Sequence, residues 1–153
     1  MAEFQNDNEV VEFAISRELD AYNFYLSLAK FSKDPKISQI LEQLAEEELE
    51  HKNKLEMELI KNGIVVDQTE KDYILANSDY VISNVPVVDI EYKDLLELCI
   101  QKEDASFRFY AQLLQHAKNQ DTKEALLAII EEEIKHKHRF EIEYDLLLKN
   151  PKL

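Results

Sequence analysis

The chain of 153 residues contains one glycine and three prolines. A sandwich or barrel of short strands needs many tight turns, so this composition disfavours it and favours long helices. There is one cysteine, Cys99. That excludes an intramolecular disulfide, a zinc knuckle and a cysteine-ligated iron–sulfur site within one chain, and it is compatible with a reducing compartment. The longest apolar run, Ala125–Ile130, falls far short of a membrane span. Positive charge is scarce: 18 Lys and Arg face 32 Asp and Glu, a net charge of −14. Such acidity argues against non-specific nucleic-acid binding and against docking to anionic membranes. The first ten residues carry Glu3, Asp7 and Glu9 and lack a basic start followed by an apolar stretch. No secretory signal is read there, and a cytoplasmic location is expected.

Apolar residues make up 45% of the chain, which argues against disorder despite the charge. The length suits a single domain, residues 1–153, with an interior large enough for a real core. Four stripes recur at steps of three and four, the spacing that lines up one helix face. They are Val11, Ile15, Glu18, Tyr22, Tyr25 and Ala29; then Leu41, Leu44, Glu48, His51, Leu55 and Leu59. The third is Leu96, Ile100, Glu103, Phe107, Tyr110 and Leu114, and the fourth Leu126, Ile129, Glu133, His136, Phe140 and Tyr144. Asp34-Pro35 reads as an N-cap and first-turn proline, and Gly63 as a helix stop. Asp121 with Glu124 reads as a capping-box-like start, and Asn150-Pro151 as a close. The spacing predicts helices over 8–32, 35–62, 91–118 and 122–149.

Residues 64–90 lack a sustained stripe, although Thr69–Asn77 suits a short helix. A connection of this length needs a reason. A bundle crossover supplies one: it must run the length of a helix, roughly 40 Å at ~1.5 Å per residue, and the segment is long enough.

A shift of 85 residues aligns the two halves without a gap. Glu18, Phe24, Tyr25, Leu28, Leu41, Glu46, Glu47, Glu48, His51 and Lys52 meet identical residues from Glu103 to Lys137. Each half is therefore a helical hairpin. The expected architecture is an all-α four-helix bundle of two repeated hairpins joined by a long crossover, with matching residues meeting across a pseudo-two-fold.

The decisive observation is where the charges fall. Glu18, Glu48, His51, Glu103, Glu133 and His136 lie on the apolar stripes. A buried ionised carboxylate is costly unless it is paired or coordinates a metal, and four near one level repel one another. Two divalent cations would neutralise four carboxylates, with both imidazoles neutral and ligating. One Glu from each of two helices plus Glu-x-x-His from each of the other two is the donor set of ferritin-like di-iron and di-manganese bundles. Glu48-Leu-Glu-His51 and Glu133-Ile-Lys-His136 supply the two Glu-x-x-His pairs. A single such pair on an acidic helix is weak evidence, whereas two at matched offset, each with a stripe Glu on the preceding helix, are specific. Glu46, Glu47, Glu131 and Glu132 fall off the stripes and are expected in solvent. His116 and His138 are expected at the surface, and Cys99, aligned with Ala14, is expected to be a small packed residue. Tyr25 and Tyr110 need hydroxyl partners if buried; either a ligand carboxylate or a water would serve.

The segments Glu18-x-x-Ala-Tyr-x-Phe-Tyr25, Glu46-Glu-Glu-x-x-His51, Glu103-x-x-x-Phe-x-Phe-Tyr110 and Glu131-Glu-Glu-x-x-His136 resemble the rubrerythrin branch of the ferritin-like superfamily over residues 8–149. The resemblance implies a non-haem di-iron centre that reduces hydrogen peroxide. It implies Glu48 and Glu133 as bridging ligands, Glu18 and Glu103 as terminal ligands, and His51 and His136 as nitrogen ligands. Tyr25 and Tyr110 match the family's tyrosines beside the ligands. Two departures stand out. Typical members carry a rubredoxin-like domain with four cysteines; this chain lacks those cysteines, so electrons are expected from a separate donor such as a rubredoxin-like protein. Typical members also carry a Glu three residues after the third-helix ligand, tied to an iron that moves on redox change, and here that residue is Ser106. A simpler six-ligand site closer to a ferroxidase centre is the alternative.

Four activities follow as expectations. The first is peroxide reduction at two iron ions per chain. The second is binding and oxidation of Fe(II) by dioxygen, and the third a di-manganese, catalase-like variant, since these ligands do not choose firmly between Mn and Fe. The fourth is a metal-free helical interaction module. By the same resemblance a homodimer is expected, and the crossover over 64–90 is long enough to exchange hairpins between chains.

Overall fold

A computed structural model describes residues 4–64 and 91–150. Four helices are present: α1 (Asp7–Phe31), α2 (Pro35–Lys61), α3 (Tyr92–Leu114) and α4 (Gln120–Lys149). They form a ferritin-like four-helix bundle, as the stripes predict. The predicted crossover over 64–90, its short helix at 69–77 and any exchange of hairpins through it lie outside the described residues, Ile64 apart. Among the described residues no helix is long and apolar enough to cross a membrane.

The local signals explain most helix ends. Asn6 caps α1, its side chain accepting from the Glu9 N–H at 3.0 Å. Asp34 caps α2 in the same way at Lys36, and Pro35 takes the first helical position, where its missing N–H costs nothing. Gly63 adopts φ +81°, the left-handed conformation that ends α2. The Ile64 N–H then reaches the Leu59 carbonyl at 3.0 Å and the Gly63 N–H the Ile60 carbonyl at 2.9 Å, and Ile64 packs against the cluster that holds Leu59.

Two expectations about ends are corrected. The third helix stops at Leu114 rather than 118, because the N–H groups of Gln115, His116 and Ala117 turn back to carbonyls three residues earlier and tighten the chain into a turn. The fourth helix starts at Gln120 with Asn119 at the cap position, so Asp121 sits inside its first turn and does not cap it. The cap residue Asn119 makes no side-chain cap hydrogen bond, and the turn leading into α4 is tied down from the other end of the chain instead. The buried Asp7 carboxylate accepts the N–H groups of Lys118 (3.0 Å) and Asn119 (2.7 Å), placing negative charge at the start of α4.

Within each hairpin the two backbones approach closely along their length; between hairpins such approaches are few. The core is split in two. One apolar cluster joins Val10, Val11, Ile15, Leu55, Leu59, Leu113 and Leu126 at one end of the bundle. The other joins Leu28, Leu41, Leu44, Leu95, Leu96 and Phe140 towards the opposite end. The polar stripe residues lie in the layer between these two plugs.

Candidate metal centre

Glu18 comes from the middle of α1, Glu48 and His51 from α2, Glu103 from α3, and Glu133 and His136 from α4. The bundle brings all six together. Five of them are at most 2% exposed, and His136 is 11% exposed. Two overlapping groups offer ligand atoms within 4.8 Å of one another: Glu18, Glu48, His51 and Glu133, and Glu48, Glu103, Glu133 and His136. Glu48 and Glu133 belong to both.

The inward atoms have no hydrogen-bond partner. They are Glu18 Oε2, Glu48 Oε1, His51 Nδ1, Glu103 Oε2, both Glu133 oxygens and His136 Nδ1. His51 Nδ1 lies 3.4 Å from Glu133 and 3.6 Å from Glu18, and His136 Nδ1 lies 3.7 Å from Glu103. Unpaired buried acceptors are costly, and so many converging on one layer fit a cation site. Four carboxylates and two imidazoles are the right charge and the right donors for two divalent ions.

Without an ion, protons carry the compensating charge. Burial pushes the Glu48 carboxyl well above its ordinary range, and Glu18 and Glu133 push it further. Burial and Glu103 do the same to Glu133. Burial also favours the neutral form of Glu103, but the neighbouring Glu133 carboxyl and His136 ring outweigh that and pull it below the ordinary range. Burial alone would lower His51; Glu133 and Glu18 instead push it up to about 11. His136 is pushed up to about 10 against the same burial effect, by Glu103 and Glu47.

The neighbours of the six obey the 85-residue repeat. Tyr25 donates its hydroxyl to Glu103 at 3.0 Å, and Tyr110 donates to Glu18 at 2.5 Å. Burial holds both phenols well above their usual pKa, so they remain donors. His51 Nε2 meets Glu132 at 2.5 Å, and His136 Nε2 meets Glu47 at 2.8 Å. The Arg17 guanidinium lies over the Phe109 ring and the Lys102 ammonium over the Phe24 ring, each 4.9 Å from the centroid. Every one of these contacts joins one hairpin to the other.

The expectation that Glu47 and Glu132 are solvated is therefore corrected. Each is partly exposed yet holds the outer nitrogen of the opposite histidine. A single-helix stripe cannot show this, since the partner stands on the facing helix. The matched spacing of Glu47 to His51 and Glu132 to His136 was the available signal. Glu46 and Glu131 are exposed as expected, and so is His138. His116 is half-buried against Phe4, away from the cluster. Cys99 is fully buried, and burial pushes its thiol up to about 12, which makes it a packing residue and a poor nucleophile.

Fold and layer together define a ferritin-like carboxylate bundle with a buried candidate site for metal. The rubrerythrin family model matches residues 9–144, and the chain belongs to that family. Among solved structures, a hypothetical protein from Pyrococcus furiosus is similar: 24% identity over 95% of this chain and 92% of that chain, with a TM-score of 0.59. At that identity the likeness speaks for the fold alone. The chain has no significant match among curated proteins.

Proposed function

We propose that this protein is a non-haem di-iron oxidoreductase that reduces hydrogen peroxide with electrons from a separate donor protein. The observation that carries the reading is the set of unpaired inward atoms on four buried carboxylates and two histidines. Glu18 and His51 would hold one ion and Glu103 and His136 the other, with Glu48 and Glu133 shared, as their membership of both groups supports. Two ferrous ions bound there would supply one electron each. Hydrogen peroxide takes up two electrons and two protons, its O–O bond breaks, and two waters leave.

The chain's own contribution is orientation, proton placement and exclusion of bulk water. Tyr110 and Tyr25 fix the Glu18 and Glu103 carboxylates through hydroxyls that keep their protons. Glu132 and Glu47 hold the histidine rings by their outer nitrogens, leaving Nδ1 free to face the layer. The apolar plugs on either side keep the layer dry and its electrostatics strong.

A second reading has its own support. Among the described residues no seventh carboxylate joins the two groups, and Ser106 is buried three residues after Glu103. A symmetric six-ligand set also suits a protein that binds Fe(II) and oxidises it with dioxygen. One experiment separates the two: anaerobic Fe(II) titration with metal analysis, then rapid mixing with hydrogen peroxide or dioxygen under visible spectroscopy. Two irons per chain oxidised faster by peroxide support the first reading. Faster oxidation by dioxygen supports the second. No stoichiometric metal, or two metals still bound by Glu133→Ala, overturns the ligand assignment.

A further inference from the structure

A groove of about 330 Å³ runs between α2 and α4 and ends on His51. Its walls are mostly apolar, formed by Leu55, Ala125, Ala128 and Ile129, with Glu132 beside His51 at its foot. The His51 ring is the partition between groove and carboxylate layer: Nε2 faces Glu132, while Nδ1 faces Glu133 and Glu18.

The repeat provides an internal control. Leu55, Ala125 and Ala128 correspond to Phe140, Ile40 and Gln43 on the other side of the pseudo-two-fold. Each counterpart is larger. Phe140 is 2% exposed and Ile40 packs against the same apolar cluster. The duplicated halves share their donor residues but differ in side-chain size at these matched positions, and the smaller set lines the groove at His51.

We infer that this groove is the route by which a small uncharged molecule with an O–O bond reaches the layer. Ala125 and Ala128 set its width, and the His51–Glu132 hydrogen bond is its door. The inference rests on the oxidant chemistry proposed above. A hydrated metal ion is a poor fit, because the two carboxylates that line the groove are already countered, Glu132 by Lys54 at 3.4 Å and Glu58 by Lys61 at 3.2 Å. An anion is a poor fit against a chain of net charge −14. Hydrogen peroxide and dioxygen, uncharged and two heavy atoms long, suit a groove of about 330 Å³ with mostly apolar walls.

The test uses Ala128→Phe, at an exposed α4 position, with Gln43→Phe as the matched control on the other half. The iron-loaded wild type is compared with both variants for metal content and for the second-order rate of oxidation by peroxide and by dioxygen. Crystals of the metal-free wild type and of Ala128→Phe are pressurised with xenon as a second, iron-independent readout. Ala128→Phe is expected to keep two irons per chain, lose at least tenfold in rate with either oxidant, and exclude xenon from the groove; Gln43→Phe should stay within twofold of wild type. A wild-type rate in Ala128→Phe overturns the route, as does a wild-type groove that takes no xenon. Failure of the oxidant chemistry itself shows up differently, in a wild type that binds no iron or leaves it unoxidised.

Discussion

The two halves of the bundle carry one design at the metal layer and two designs around it. Donor for donor, the first hairpin and the second match at a fixed offset, down to the tyrosine that orients the opposite carboxylate. Away from the layer they diverge. His51 is 1% exposed and His136 11%. Lys52 pairs with Glu56 on its own helix, whereas its counterpart Lys137 crosses to Asp104 on α3. The comparison teaches that shared chemistry constrains the donors, while packing over the seams is free to differ and so to give the halves different tasks.

Removing each histidine breaks the comparison most severely. His51→Ala leaves Glu18, Glu48 and Glu133 facing one another inside the buried layer, and stripping a buried ionic cluster of one partner costs about 3–5 kcal/mol. His136→Ala, nearer to solvent, should cost clearly less. Chemical denaturation of the metal-free variants checks this, and metal analysis should find fewer than two ions per chain in both. Equal losses of stability would mean that the difference in exposure is immaterial.

The next largest effect is the pH dependence of the metal-free protein. His51 and His136 hold protons in the folded state up to about 11 and about 10. Their contribution is complete below the unfolded value of about 6.5 and is lost as pH rises through those higher values. Glu48 and Glu133, raised by burial, act in the same direction, because the folded protein keeps protons that the unfolded chain has released. The metal-free melting temperature is therefore expected to fall steadily between pH 6 and 9. Glu103 and Glu132 are shifted down, and their effect lies at acid pH, below about 4.5. The stabilisation gained on loading a divalent ion should grow over the same interval, since bound metal displaces these protons. A flat metal-free profile would contradict the proton-filled layer.

Tyr25→Phe and Tyr110→Phe sharpen the comparison. Loss of a residue that orients a ligand typically costs 10–100-fold in metal affinity. Tyr110 makes the shorter bond, so its variant should lie at the larger end; competition titration with a chelator measures both. The smallest effect is expected from Asp7→Ala, which frees the Lys118 and Asn119 N–H groups ahead of α4 and removes the negative charge at its start. It should cost about 1–2 kcal/mol in thermal unfolding and leave metal stoichiometry untouched.

Much of this was legible beforehand, for a definite reason. Period and punctuation are local, so Asp34-Pro35 and Gly63 bounded α2 correctly, and the stripes placed Glu18, Glu48, His51, Glu103, Glu133 and His136 on inward faces. What escaped was contact between helices. Nothing near Glu47 or Glu132 in the chain announces a histidine on the facing helix. Nothing near Asn119 announces that Asp7, more than a hundred residues away, holds the turn leading into the fourth helix. The contrast between Ala125–Ala128 and their bulkier counterparts was written in the repeat but has meaning only once α2 and α4 lie side by side.

The contacts of Tyr25, Tyr110, His51 and His136 around the layer, and those of Arg17 and Lys102 with the Phe109 and Phe24 rings, cross from one hairpin to the other, where the backbones otherwise approach each other little. The layer is thus a clasp as well as a candidate metal site. Each half supplies jaws for the other, and neither hairpin alone holds a complete set. Gripping a pair of ions would couple the cohesion of the whole molecule to its metal supply, so that loss of metal would be felt as slackness between the halves.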